Sequence, residues 1–111
     1  MSEVIDGPVQ NERLGVPEEE QLKALHILVE GKVQGVYYRA STAKKAQALD
    51  LVGWVRNLDD GRVEIHAQGE PDALSELVQW CQRGPVLAKV SGLHHELADL
   101  DRKMTGFEVR K

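Results

Sequence analysis

Apolar residues recur along this chain with two different periods, separated by turn chemistry. The run Ala-Leu-His-Ile-Leu-Val at 24–29 has the length and composition of a strand and ends at Glu30-Gly31. Val63, Ile65 and Ala67 alternate with Glu64, His66 and Gln68, which marks a strand with one buried face. An apolar-rich segment, Leu51 to Asn57, precedes it, and Leu58-Asp59-Asp60-Gly61 supplies the turn that would join the two as a hairpin. Elsewhere the period lengthens. Ala40, Ala43, Ala46 and Leu49 recur every third residue within Arg39 to Leu49, predicting a helix with a small-sided face suited to close packing on a sheet. Pro71 is favoured at the first position of a helix; Leu74, Leu77, Val78 and Cys81 follow at helical spacing until Gly84-Pro85 stops the pattern. A strand within Val86 to Glu96, carrying Val90 and Leu93, and a short one over Phe107 to Arg110 complete the set.

The order is βαββαβ plus one short terminal strand. Two helices on one face of a mainly antiparallel sheet bury the apolar sides of both layers, so the expected fold is an α+β, ferredoxin-like sandwich. Residues 23–111 form its single domain, since 111 residues suffice for one core but not two. Residues 1–22 hold Gly7, Pro8, Gly15 and Pro17 among scattered apolar residues (Val4, Ile5, Val9, Leu14, Val16) and read as a flexible extension.

Composition narrows the function classes. With 41% hydrophobic and 29% charged residues, the chain matches a globular protein rather than a disordered or membrane-spanning one. Its one cysteine, Cys81, excludes an internal disulfide, and the amino terminus lacks a basic region followed by an apolar run, so a reducing cytoplasm is the expected location. The net charge of −4 is unevenly spread: residues 1–22 carry six acids against Arg13, which leaves the domain close to neutral. Such a body can focus charge on a small anion but offers no broad basic face to a nucleic acid. Neither nucleic acid nor membrane is an expected partner, and a monomer is expected.

The most informative stretch is Gly31-Lys32-Val33-Gln34-Gly35-Val36-Tyr37-Tyr38-Arg39, which links a strand to a helix. Backbone N–H groups of such a loop and of the helix's first turn converge on one point, where the helix dipole adds positive potential. Gly31 and Gly35 permit close backbone approach. Arg39 is the odd residue, because a cation in a first helical turn is unfavourable by about 0.3–1 kcal/mol unless an anion sits beside it. A bound phosphate would supply that charge, gripped through two oxygens by the planar guanidinium. The second stretch, Gly53-Trp54-Val55-Arg56-Asn57, ends a strand on a short amide; taken alone, Asn57 could simply close an Asx-turn.

Together these residues resemble the acylphosphatase family, whose pattern runs Gly-x-Val-Gln-Gly-Val-x-aromatic-Arg, then Gly-Trp-Val-Arg-Asn, then Asp-Gly-x-Val-Glu. The match is carried by residues 31–39, 53–57 and 60–64, and it continues through Gly84-Pro85, Ala88, Val90 and Phe107-x-Val109. The resemblance implies hydrolysis of acyl phosphates to carboxylate and inorganic phosphate without metal or other cofactor. It also implies that Arg39 holds the phosphate, that Lys32, Val33, Gln34, Gly35, Val36 and Tyr37 cradle it, and that Asn57 orients the attacking water. Three positions depart from the pattern. Tyr38 replaces a usual phenylalanine, Asp50 stands where glycine often ends the first helix, and Arg110 lies near a terminal position often held by tyrosine.

Other candidates are set aside. Cys81-Gln82-Arg83 lacks the loop that would place a thiolate opposite an arginine, so Cys81 is read as a core residue. His26, His66, His94 and His95 fall on strands without a supporting carboxylate or cysteine pattern and read as sheet-face or solvated histidines. Trp54 and Trp80 read as packing residues. The rival to an enzyme is a non-catalytic phosphate-binding or regulatory module on the same fold, which would need the cradle and Arg39 but not Asn57.

Overall fold

The computed structural model describes residues 22–111, so the expected amino-terminal extension lies outside the described residues except for Leu22. Five strands and two helices follow: β1 (Lys23–Lys32), α1 (Tyr38–Ala48), β2 (Val52–Asn57), β3 (Val63–Gly69), α2 (Pro71–Cys81), β4 (Lys89–Ala98) and β5 (Phe107–Val109). They form one sheet in the order β4-β1-β3-β2-β5, antiparallel throughout except for the parallel pair β2 and β5. With both helices on one face, this is the expected ferredoxin-like α+β sandwich.

The core lies between sheet and helices. Ile27 and Val29 of β1, Val55 of β2, and Val63, Ile65 and Ala67 of β3 are fully buried, with Leu74, Leu77, Val78 and Cys81 of α2 packed on them. Full burial of a side chain such as Ile27 contributes about 1.5–3 kcal/mol. The intervening residues His26, Trp54, Arg56, Glu64 and His66 occupy the opposite face, as strand alternation requires. The connection from β4 to β5 has to pass from one edge of the sheet to the other. Gln68 anchors it, donating to the Asp101 carbonyl at 2.9 Å and accepting from the Asp101 amide at 3.0 Å.

Two boundaries and one buried face differ from expectation. β1 runs beyond Val29 to Lys32, because an irregularity in the β1–β4 pairing between Glu30 and Gly31 lets the strand continue. Gly31 holds φ 124°, and a Cβ there would collide with the Lys89 carbonyl. The buried face of α1 is Tyr38, Thr42, Ala43 and Ala46, whereas Ala40 is exposed. A strict three-residue repeat drifts by about 60° per step around a helix of 3.6 residues per turn, so Ala40 and Leu49 cannot share one face. Finally, β4 starts at Lys89 rather than Val86, since the segment after α2 turns, with the Ala88 amide donating to the Pro85 carbonyl; Val86 is left almost wholly exposed.

Candidate active site

β1, β2 and β5 run in parallel and end on the same side of the sheet, where the loop 33–37 delivers the chain into α1. The loop is pinned at three points. Val33 and Val36 are buried in the core, and the Gln34 amide donates to the carbonyls of Leu58 (2.8 Å) and Arg62 (2.9 Å), tying the loop to the β2–β3 hairpin. Gly35 takes φ 77° and Tyr37 φ 66°, ψ 22°, both left-handed. For tyrosine this conformation costs on the order of 1–2 kcal/mol. Tyr37 is the N-cap residue of α1; no side chain caps the helix, and its first turn contains no acid. The leading N–H groups of a helix have no intrahelical partner, so this end presents positive potential.

Arg39 enters from that first turn. Its Nη1 donates to the Arg110 carbonyl at 2.8 Å, and the Arg110 amide in turn donates to the Val55 carbonyl at 2.8 Å, so the end of the chain holds the guanidinium beside β2. Among the described residues no carboxylate pairs with Arg39. Asn57 closes β2, and its Oδ1 is buried without a hydrogen-bond partner among the described residues. An unsatisfied buried acceptor costs about 1–3 kcal/mol.

These groups converge on one cavity of about 340 Å³, lined by Val33, Gly35, Tyr37, Tyr38, Arg39, Ala40, Asn57 and Val109. Of the residues expected from the sequence, Val33, Gly35, Tyr37, Arg39 and Asn57 therefore meet there. Lys32 lies in β1 with its side chain exposed, Val36 is in the core, and the Gln34 side chain serves the hairpin. Four contributors escaped the sequence reading: Tyr38 and Ala40, which line the cavity from the first turn of α1, Val109 and the Arg110 carbonyl. The Arg110 carbonyl is a backbone atom with no side-chain signature, whereas Val109 is already part of the Phe107-x-Val109 match, without a role attached to it.

The neighbouring groups are inert by comparison. Burial pushes the Cys81 thiol up to about 12, only partly opposed by its hydrogen bond with Tyr38. Burial likewise drives the Tyr38 phenol above its ordinary range, and its hydroxyl donates to the Cys81 carbonyl at 2.6 Å. His26 does have a carboxylate, contrary to expectation: its Nε2 lies 2.7 Å from Glu64 Oε2, a partner 38 residues away, on the sheet face opposite the helices. Among the described residues no group of three His, Cys, Asp or Glu side chains could hold a metal ion, and no helix is long and apolar enough to cross a membrane.

A family model described as acylphosphatase matches residues 25–109, nearly the whole of the described domain. The chain belongs to the acylphosphatase family. An acylphosphatase of Methylococcus capsulatus is 51% identical over 79% of this chain and 96% of its own length. One from Marinobacter nauticus is 55% identical over 76% of this chain and 91% of its own. The solved acylphosphatase structure from Coxiella burnetii superposes with a TM-score of 0.81 at 41% identity, covering 86% of this chain and 99% of that one. The acylphosphatase match thus takes in both the loop and the strand that frame the cavity.

Proposed function

We propose that this chain hydrolyses acyl phosphates to a carboxylate and inorganic phosphate by in-line attack of water. The observation that carries the reading is the meeting, in one cavity at an uncapped helix amino terminus, of the Asn57 side chain with Arg39, which pairs with no carboxylate among the described residues. In the proposed complex the loop and helix N–H groups and Arg39 hold the phosphoryl oxygens, while the Asn57 side-chain amide hydrogen-bonds the water and aims its oxygen at phosphorus. The new bond forms between that oxygen and phosphorus as the bond to the acyl oxygen breaks.

The leaving group is a carboxylate, whose conjugate acid has a pKa near ~4, so no side chain has to protonate it. A loose phosphoryl-transfer transition state asks mainly for position and charge stabilisation, which a backbone cradle and one guanidinium supply. As an amide, Asn57 cannot act as a base at neutral pH, and the water's proton passes to a phosphate oxygen. No step calls for a metal.

The test is hydrolysis of acetyl phosphate in the presence of a chelator, corrected for spontaneous breakdown, for wild type, Arg39→Ala and Asn57→Ala. Arg39→Ala is expected to lose at least ~10²-fold in kcat/KM. Asn57→Ala is expected to lower kcat while inorganic phosphate still binds. Near-normal turnover of Arg39→Ala would remove its assigned role, and lost phosphate affinity with intact turnover would contradict that of Asn57. Wild type no faster than buffer yet binding phosphate through Arg39 would favour the non-catalytic module.

A further inference from the structure

The domain as a whole is close to neutral, but its charges are not evenly placed. Residues 31–49 and 77–95 contain no aspartate or glutamate and hold Lys32, Arg39, Lys44, Lys45, Arg83 and Lys89, which leaves the rest of residues 23–111 with seven cations against twelve acids. The fold brings the two segments together. Gly84 lies against the Tyr38 ring, Lys89 pairs with Lys32 across β4 and β1, and Trp80 and Pro85 line one surface hollow with Lys44 and Lys45. Lys45 is 3.3 Å from Glu76, but Lys32, Lys44, Arg83 and Lys89 are exposed, and none of these four pairs with a carboxylate among the described residues. Amid these cations an ordered turn displays two adjacent apolar side chains. The Gly84 amide donates to the Trp80 carbonyl at 2.8 Å and the Ala88 amide to the Pro85 carbonyl at 2.9 Å, leaving Val86 96% and Leu87 58% exposed. Single exposed apolar residues are ordinary, but an adjacent pair held outward among unpaired cations marks a contact surface.

We infer that the turn after α2 is a membrane-contact element: Val86 and Leu87 enter the interface of an anionic bilayer while Lys32, Lys44, Arg83 and Lys89 engage its headgroups. This is adsorption to a surface, not a span, and it does not depend on the proposed hydrolysis. Composition, averaged over the domain, points away from a membrane; the fold gathers the cations onto one face. At physiological ionic strength charges more than about 8 Å apart are largely screened, so this local surplus rather than the chain's net charge of −4 governs adsorption. A bilayer suits the surface better than an acidic protein does. Headgroups move laterally to meet each spread-out cation, and a fluid interface accepts a projecting apolar pair, whereas a protein partner needs a matching pocket and is anchored more often by Trp, Tyr or Arg than by Val or Leu. Because β4 begins beside the end of β1, from which the loop 33–37 departs, the turn lies at the same end of the sheet as the cavity.

The experiment sediments the full chain with vesicles of phosphatidylcholine alone, or of phosphatidylcholine and phosphatidylglycerol in equal parts, at about 0.15 M salt. Wild type is compared with the double variants Val86→Ser/Leu87→Ser and Arg83→Gln/Lys89→Gln, and urea midpoints establish that each is folded. Wild type is expected to partition onto the phosphatidylglycerol vesicles and to stay in solution with phosphatidylcholine alone. Each double variant is expected to weaken that partitioning at least about tenfold, one through lost apolar contact and the other through lost charge. A second measurement needs neither double variant. In Val86→Cys an environment-sensitive fluorophore attached at position 86, Cys81 being buried, should shift to the blue on adding phosphatidylglycerol vesicles. Wild type that stays in solution with both vesicles overturns the inference and favours an acidic protein as the partner of this face. Binding that survives the serine variant, or that brings no blue shift, overturns insertion of the turn; equal binding to both vesicles overturns the role of the cations.

Discussion

Tyr37 and Asp50 both hold left-handed backbone, at φ 66° and 60°, but for different reasons. Asp50 ends α1. The Leu51 amide reaches back to the Ala46 carbonyl at 2.9 Å and the Asp50 amide to the Gln47 carbonyl at 3.1 Å, a closure that requires a left-handed residue between helix and β2. Aspartate tolerates this better than most residues, but glycine has no Cβ to strain. Asp50→Gly is therefore expected to raise stability by about 0.5–1 kcal/mol, seen as a higher urea midpoint at unchanged m-value. A lower midpoint would show that the carboxylate contributes something the geometry does not reveal. At Tyr38, the other departure inside the fold, the added hydroxyl is accommodated by the Cys81 carbonyl at the end of α2, and the ring packs on Trp80 with centroids 5.7 Å apart. Trp80 is thus a packing residue, as its sequence suggested.

Among the elements, β3 carries the connection between its two neighbours on the outer sheet face. Glu64 accepts from Arg56 Nε of β2 and lies 2.7 Å from His26 Nε2 of β1. Burial pushes this carboxyl up, but the hydrogen bonds and charges of His26 and Arg56 outweigh it and hold the group below its ordinary value. A carboxyl depressed in the folded state contributes stability that is fully present above its unfolded pKa, near ~4.3, and is lost as pH falls through the folded value. Glu64→Gln is accordingly expected to cost about 1–2 kcal/mol at pH 7, with the difference from wild type shrinking below about pH 4 and vanishing once the folded carboxyl protonates. Urea midpoints measured for both proteins from pH 7 to pH 3 provide the check; a difference independent of pH would mean that packing, not ionisation, links the strands. The alternation of residues 63–68 predicted which side chains of β3 face outward, but it could not name His26 and Arg56 as their neighbours. That depends on strand order, which places β3 between β1 and β2.

At the scale of the whole molecule, segments far apart in the chain meet at the site: Arg39, in the first turn of α1, is held by the carbonyl of Arg110, which follows β5. Deleting Arg110 and Lys111 is expected to reduce kcat/KM for an acyl phosphate by about ten- to a hundredfold, since a guanidinium free to rotate loses its alignment with the phosphoryl oxygens. Comparison with Arg110→Ala, which keeps the carbonyl, separates this from loss of the Arg110 side chain, whose guanidinium lies 5.0 Å from the Trp54 ring centroid. Equal activity of the truncated and full chains would show that Arg39 is positioned by its own helix. Local chemistry was sufficient to predict much of the protein: the alternation of β3, the Pro71 start and apolar spacing of α2, the order of elements and hence the sandwich, and the glycine-containing loop that ends on Arg39. These are short-range consequences of backbone sterics and side-chain period, which a sequence carries directly. Assembly decided the rest. The strand irregularity at Gly31 depends on β4, the buried face of α1 on the sheet beneath it, the Gln34 anchor on the hairpin, and the partnership of Arg39 with Arg110 on a parallel pairing between β2 and β5. Each joins residues distant in the chain through a backbone atom or a packed surface, and neither leaves a mark in the spacing of side chains.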